Sequence, residues 1–144
     1  MKHVTRATLL FSDRSPGRYA FNVLAGALRG VATHDELRLE FARTPVALAS
    51  ALERALERGD RTVVAWSFYS PSFAECADEL AGLRAQFPSG WTALAGGVHA
   101  TAEPLATLRA GFDLAAIGEG EHTVRELARA LAEGGELREV RGLA

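Results

Sequence analysis

Cysteine is nearly absent from this 144-residue chain, with Cys76 standing alone. One thiol can form neither an intramolecular disulfide nor a thiolate zinc site. An iron–sulfur cluster held by several cysteines of this chain is excluded for the same reason. Cys76 lies inside an amphipathic stretch, which favours a small buried thiol over a nucleophile. Lysine is equally scarce, Lys2 being the only one, and the formal net charge is -2. The arginines are scattered among glutamates on helix-like segments, which makes a solvated surface and leaves no basic stripe for nucleic acid. No apolar run approaches the ~18 residues of a membrane span. The opening "MKHVTRATLL" lacks an apolar core followed by a small-residue cleavage site. A cytoplasmic protein with neither nucleic acid nor membrane as partner is expected. Two phosphate-binding signatures are missing as well. The first strand-to-helix loop carries a single glycine, Gly17, so there is no dinucleotide fingerprint, and no Walker-type loop occurs.

What is present reads as one globular domain. Hydrophobic residues make up 48% and charged residues 24%, enough for a sizeable core at this length. Strand-like and helix-like pieces alternate with short connections. Compact apolar runs at Ala7–Ser12, Thr62–Trp66, Trp91–Ala95 and Phe112–Ile117 suit strands buried on both faces. "DELRLEFA" alternates Leu37, Leu39 and Phe41 with charges, as a strand with one wet face at a sheet edge would. Helical spacing recurs after each strand. It runs through Ala20, Val23, Leu24, Ala27 and Leu28 up to Gly30, then through Leu48, Leu52 and Leu56 between Pro45 and Gly59. Phe73, Ala77, Leu80 and Phe87 mark the third helix. A short fourth helix has Thr101 as its N-cap and Gly111 as its stop, and Val124, Leu127, Ala128 and Leu131 form the last, ending at Gly134. Five strand–helix pairs without hairpins predict a three-layer α/β/α domain on a five-stranded parallel sheet. A polar second strand fits the flavodoxin-like (Rossmann-like) order 2-1-3-4-5. Residues 1–134 form the domain; 135–144, "GELREVRGLA", lack a helix stripe.

In such a sheet all strand-to-helix loops lie along one edge, where ligands bind beside the switch in strand order. The unusual residues of this chain fall in those loops: Ser12 to Gly17, Ser67 to Ser72, Gly96 to Thr101 and Gly118 to Thr123. Gly96 and Gly97 let a ligand approach the backbone, or simply make a tight turn. Ser67, Ser70 and Ser72 interleave with Phe68, Tyr69 and Pro71, suiting a ligand with a flat apolar part and hydrogen-bonding edges. A helix cap accounts for Ser70 or Ser72 but leaves Ser67 unexplained. His99 is open to several readings: a ligand, a base, a hydrogen-bond donor or simply a partly exposed loop histidine. Glu119 and Glu121 flank Gly120 at a helix start, where the dipole favours carboxylates. A response-regulator pocket around Asp13 would need a phosphoacceptor after strand three and a lysine after strand five. Trp66-Ser67 and Gly118-Glu119 stand there instead.

Taken together, "SFYSPS", "GGVHATAEP" and "DLAAIGEGEHTVREL" resemble the N-terminal cobalamin (vitamin B12)-binding domain of B12-dependent radical S-adenosylmethionine (SAM) enzymes. The specific part is Gly-Gly-x-His-Ala-Thr at Gly96–Thr101 followed by Gly-Glu-Gly-Glu at Gly118–Glu121. The resemblance implies a nucleotide tail tucked along the sheet and a corrin across the carboxyl edge. Ala95, Gly96 and Gly97 would leave room for the benzimidazole. Ser67, Tyr69 and Ser70 would hydrogen-bond the tail, and Gly118, Glu119, Gly120 and Glu121 would close the slot. Ser12, Asp13, His99 and Ala100 complete the implied cofactor-binding set, with His99 a lining residue. Many such domains carry Asp-x-His-x-x-Gly after the first strand, whereas "DRSPGRY" from Asp13 has no histidine, so no lower axial cobalt ligand is expected from this loop. The resemblance further implies base-off cobalamin, a radical SAM domain in cis beyond a linker that starts at residues 135–144, and, in the parent enzyme, a 4Fe-4S cluster and S-adenosylmethionine. This chain alone would not be catalytic. The competing readings are a flavodoxin-like structural or docking domain that no longer binds cobalamin and, more remotely, an enzyme acting through Glu119, Glu121 and His99.

Overall fold

The computed structural model describes residues 6–12, 37–67, 73–96, 101–117, 120–137 and 140. The helix expected up to Gly30 lies outside them. β1 (Ala7–Ser12) is buried at every residue, as a strand with neighbours on both sides and layers on both faces must be. β2 (Leu37–Ala42) pairs with it in parallel from Ala7↔Leu37 to Ser12↔Ala42. β3 (Arg61–Ser67), β4 (Trp91–Gly96) and β5 (Leu114–Ala115) complete a five-stranded sheet of order β2-β1-β3-β4-β5, parallel throughout. This is the flavodoxin-like order that the element pattern predicts.

Four helices follow their strands: α1 (Pro45–Glu57), α2 (Phe73–Gln86), α3 (Pro104–Arg109) and α4 (Gly120–Glu133). Local chemistry sets their ends. The Thr44 hydroxyl accepts the Ala47 backbone N–H at 3.1 Å, and Pro45 occupies the first turn of α1, where its missing N–H is not needed. After α1 the chain turns at Gly59, whose φ of +75° is left-handed.

Alternation along the strands divides the core in two. Leu10, Val64, Trp66, Ala93, Ala95 and Ala115 face Leu48 and Leu52 of α1 and Cys76, Leu80 and Leu83 of α2. Leu9, Phe11, Val63, Ala65, Leu94, Leu114 and Ala116 cluster with Leu127, Ala128 and Leu131 of α4. Each fully buried leucine contributes about 1.5–3 kcal/mol by leaving water. Helix layers on both faces make the domain α/β/α.

Four local expectations change. The stripe of α2 centres on Cys76, Leu80 and Leu83, while Ala77 is only half-buried and Phe87 lies just past the helix. The N-cap of α3 is Glu103 rather than Thr101, because residues 101–102 are already helical and the backbone breaks at Glu103 (φ -130°, ψ 64°). The ring of Pro104 keeps its predecessor out of the helical region. The fifth strand spans Leu114–Ala115 instead of Phe112–Ile117. It has only β4 as a neighbour, and Phe112 turns its ring inward edge-on to Trp66, with centroids 5.6 Å apart. Phe41, expected on the buried face of β2, is 42% exposed. At the sheet edge one side of its ring has only Phe11 to stack on, at 5.0 Å.

At the amino edge, Asp60 is buried directly before β3. One carboxylate oxygen accepts from the Thr8 hydroxyl and from Arg58 Nε, both at 2.9 Å. Arg58 also faces Glu40 at 3.9 Å, so the cluster joins the β2 edge to the α1–β3 turn. Beyond α4, Leu137 and Val140 are buried, and the Gly135 carbonyl accepts from Arg61 at 2.6 Å.

Candidate functional site at the carboxyl edge

Parallel strands bring their carboxyl ends to one edge, and register decides which residues meet there. Ser12 pairs with Trp66, Trp66 with Ala95, Ser67 with Gly96, and Ala95 with Ala115. Thus Ser12, Ser67 and Gly96, far apart in sequence, end adjacent strands. Gly120 and Glu121 open α4. Asp13, Tyr69, Ser70, Gly97, His99, Ala100, Gly118 and Glu119 lie outside the described residues.

The described part of this edge is lined by small side chains. A Cβ on Gly96 would sit 3.9 Å from the Ala116 Cβ and 3.9 Å from the Trp66 carbonyl oxygen. The cradle therefore has room for a Cβ, walled by β3 on one flank and the chain after β5 on the other. Ala116 is held there by its N–H, which donates to the Ala95 carbonyl at 2.8 Å. The other face of the sheet carries an aromatic cluster. Trp66 is fully buried and packs against Phe112 and, at 6.4 Å, Trp91. The small residues at this rim suit the close approach of a flat, apolar heterocycle.

Two residues at the site are ones the motifs do not single out. The Glu79 carboxylate, on α2, accepts from the Ser12 hydroxyl and the Trp66 indole N–H through one oxygen, each at 3.4 Å. Glu79 is invisible to motif reading, yet it stands three residues after Cys76 and one before Leu80, on the flank of the buried stripe. A carboxylate in that helical register is a signal that could have been read. Trp66 reads as a strand residue, and only packing shows that its indole joins Phe112 and Trp91 and reaches Glu79.

Exposed apolar side chains concentrate toward the same edge. The exposed large hydrophobics among the described residues are Phe41, Val46, Leu105 and Ile117. Phe41 and Ile117 sit near strand carboxyl ends, and Val46 and Leu105 in the first turns of α1 and α3. At 77% and 66% exposure, Val46 and Leu105 are nearly bare.

The opposite edge is built differently. An open cleft of about 560 Å³ there is lined by Arg61, Arg84, Trp91, Asp113 and Glu136 among others. Arg84 stacks on the Trp91 ring at 3.9 Å, donates to the Trp91 carbonyl at 3.2 Å and pairs with Asp113. Asp113 in turn accepts the Ala93 N–H at 2.7 Å. These groups are held by their own neighbours, as in a structural clip. No described helix is long and apolar enough to cross a membrane.

The model of the B12 binding domain family matches residues 18–128, well over half of the chain. This chain belongs to the B12-binding domain family. Its fold is similar to part of the radical S-adenosylmethionine methyltransferase TsrM from Kitasatospora setae, a structure with tryptophan substrate and a SAM analog bound. The TM-score is 0.70 at 21% identity, covering 96% of this chain and 28% of that one. The B12-binding domain described here thus spans just over a quarter of that methyltransferase. The N-terminal domain of a hypothetical Thermotoga maritima protein matches at 38% identity over 45% of this chain and 52% of its own. Its TM-score is 0.40. No curated protein matches the sequence.

Proposed function

We propose that this chain is a cobalamin-binding module that holds the cofactor base-off for a radical SAM catalytic domain in the same longer polypeptide. The observation that carries this reading is the open cradle at Gly96, placed at the carboxyl edge of a B12-binding domain. The benzimidazole tail would lie against Ala95, Gly96 and Gly97. Ser67, Tyr69 and Ser70 would hydrogen-bond it, with Gly118, Glu119, Gly120 and Glu121 closing the slot. Ser12, Asp13, His99 and Ala100 would line the approach. No histidine follows Asp13 to take the lower face of cobalt. Bound there, cobalamin would supply a cobalt centre able to carry a methyl group for transfer or a related SAM-radical reaction. The chain's own residues would bind, orient and shield it.

The exposed Phe41, Val46, Leu105 and Ile117 lie toward this edge and support a covering partner there. A catalytic domain in cis, with its 4Fe-4S cluster and S-adenosylmethionine, is that partner in this reading. Residues 1–134 would be the module, and 135–144 would lead toward the catalytic domain. The test is direct. Purified chain is mixed with hydroxocobalamin and desalted, and the protein fraction is scanned for corrin absorption. Retained corrin near one equivalent is expected; a folded chain that retains none is a structural or docking domain instead.

A further inference from the structure

We propose that Glu79 is a positioning residue for the cofactor edge, acting through Ser12 and Trp66; the inference rests on the cobalamin reading above. One oxygen of Glu79 accepts both the Ser12 hydroxyl and the Trp66 indole N–H at 3.4 Å. Those two residues are register partners at the ends of β1 and β3, and both are buried. The carboxylate therefore ties α2 to two adjacent strand ends at once. Trp66 is the residue whose backbone carbonyl forms one wall of the Gly96 cradle. Its indole lies on the α2 face of the sheet, so holding it anchors the strand end that carries this carbonyl.

Helix packing alone does not ask for a carboxylate here. The apolar stripe of α2 is complete with Cys76, Leu80 and Leu83, and a partly buried charge carries a desolvation cost that leucine would not. What leucine cannot do is accept two buried donors, which would then lose their partner. The same contact orients Ser12. With its proton directed at Glu79, the Ser12 oxygen remains only as an acceptor, and so is matched to amide N–H or hydroxyl groups and not to a phosphate oxygen.

The test measures hydroxocobalamin affinity by corrin absorption for the parent chain and for Glu79→Ala, Glu79→Gln and Ser12→Ala, each well below its own melting temperature. Glu79→Ala is expected to weaken binding by about tenfold, in the range that loss of one or two hydrogen bonds produces. Glu79→Gln keeps an acceptor oxygen and should stay within about threefold of the parent. Ser12→Ala combined with Glu79→Ala should be clearly less than additive, since both remove one contact. A purely structural Glu79 would lower the melting temperature without this rescue or this coupling. If Glu79→Ala does not fold, Trp66→Phe and Ser12→Ala each remove one donor. Weaker binding in Trp66→Phe, which removes a donor to Glu79 and no proposed ligand contact, supports the assignment, and parent-like binding in both variants overturns it. Parent-like affinity in folded Glu79→Ala overturns it too while leaving the cobalamin reading intact. A parent chain that binds no hydroxocobalamin brings down both.

Discussion

Substitution at Gly96 separates the space that the fold requires from the space that a ligand requires. A Cβ at this position would meet Ala116 and the Trp66 carbonyl at 3.9 Å each, which is ordinary van der Waals contact. Gly96 is a strand residue without a positive φ, so nothing in the backbone demands glycine. Gly96→Ala should therefore stabilise the free chain slightly, by about 0.5 kcal/mol, through the reduced freedom of its unfolded state. Gly96→Leu adds branched bulk to a rim position that is not fully buried, and should change stability by less than about 1 kcal/mol. Its side chain nonetheless fills the cradle. If the benzimidazole lies there, Gly96→Leu must lose at least about tenfold in hydroxocobalamin affinity, equivalent to about 1.4 kcal/mol, while Gly96→Ala loses little. Urea unfolding reports the first quantity and equilibrium dialysis followed at corrin wavelengths the second. A folded Gly96→Leu protein with undiminished affinity would refute the placement of the tail.

Asp60→Ala should act on stability alone. It strips the buried Thr8 hydroxyl of its acceptor and leaves Arg58, itself partly exposed, without its closest carboxylate, a loss of about 2–4 kcal/mol. Urea denaturation should show a lower midpoint with an unchanged slope, and cobalamin retention on ice should persist; a loss under about 1 kcal/mol would mean the cluster is solvated. Gly111 has a φ of +117° that L side chains rarely adopt. Gly111→Ala should therefore cost about 1–3 kcal/mol although its Cβ would find ordinary contact with Leu80 at 3.5 Å, and an unshifted melting curve would show that the turn relaxes freely.

Most of the scaffold was legible because burial on both faces leaves a direct imprint. Ala7–Ser12 and Thr62–Trp66 are short continuous apolar runs, and both are inner strands. Pro45 and Gly59 announce the limits of α1 because helix ends are set between near neighbours. Legibility fails where the deciding partner is distant. Phe112 reads as a strand residue, but Trp66 draws its ring inward. Phe41 reads as core, but its place at the end of an edge strand leaves it half bare. Thr101 reads as a cap because a hydroxyl before a helical pattern usually is one, and Pro104 moves the break to Glu103.

The candidate site divides along the same line. Glycines and hydroxyls after strand-like runs mark the carboxyl edge from the order of residues alone, since a parallel sheet gathers every such loop on one side. Residue order likewise carries the strand–helix alternation and the family likeness. Tertiary structure alone decided that Ser12, Ser67 and Gly96 end adjacent strands, that Ala116 and Trp66 wall the space above Gly96, and that Glu79 reaches across from α2 to hold two strand ends. The reason is physical. Propensity, capping and alternation act between near neighbours, whereas a cradle is the gap left between side chains that register and packing bring together from distant parts of the chain.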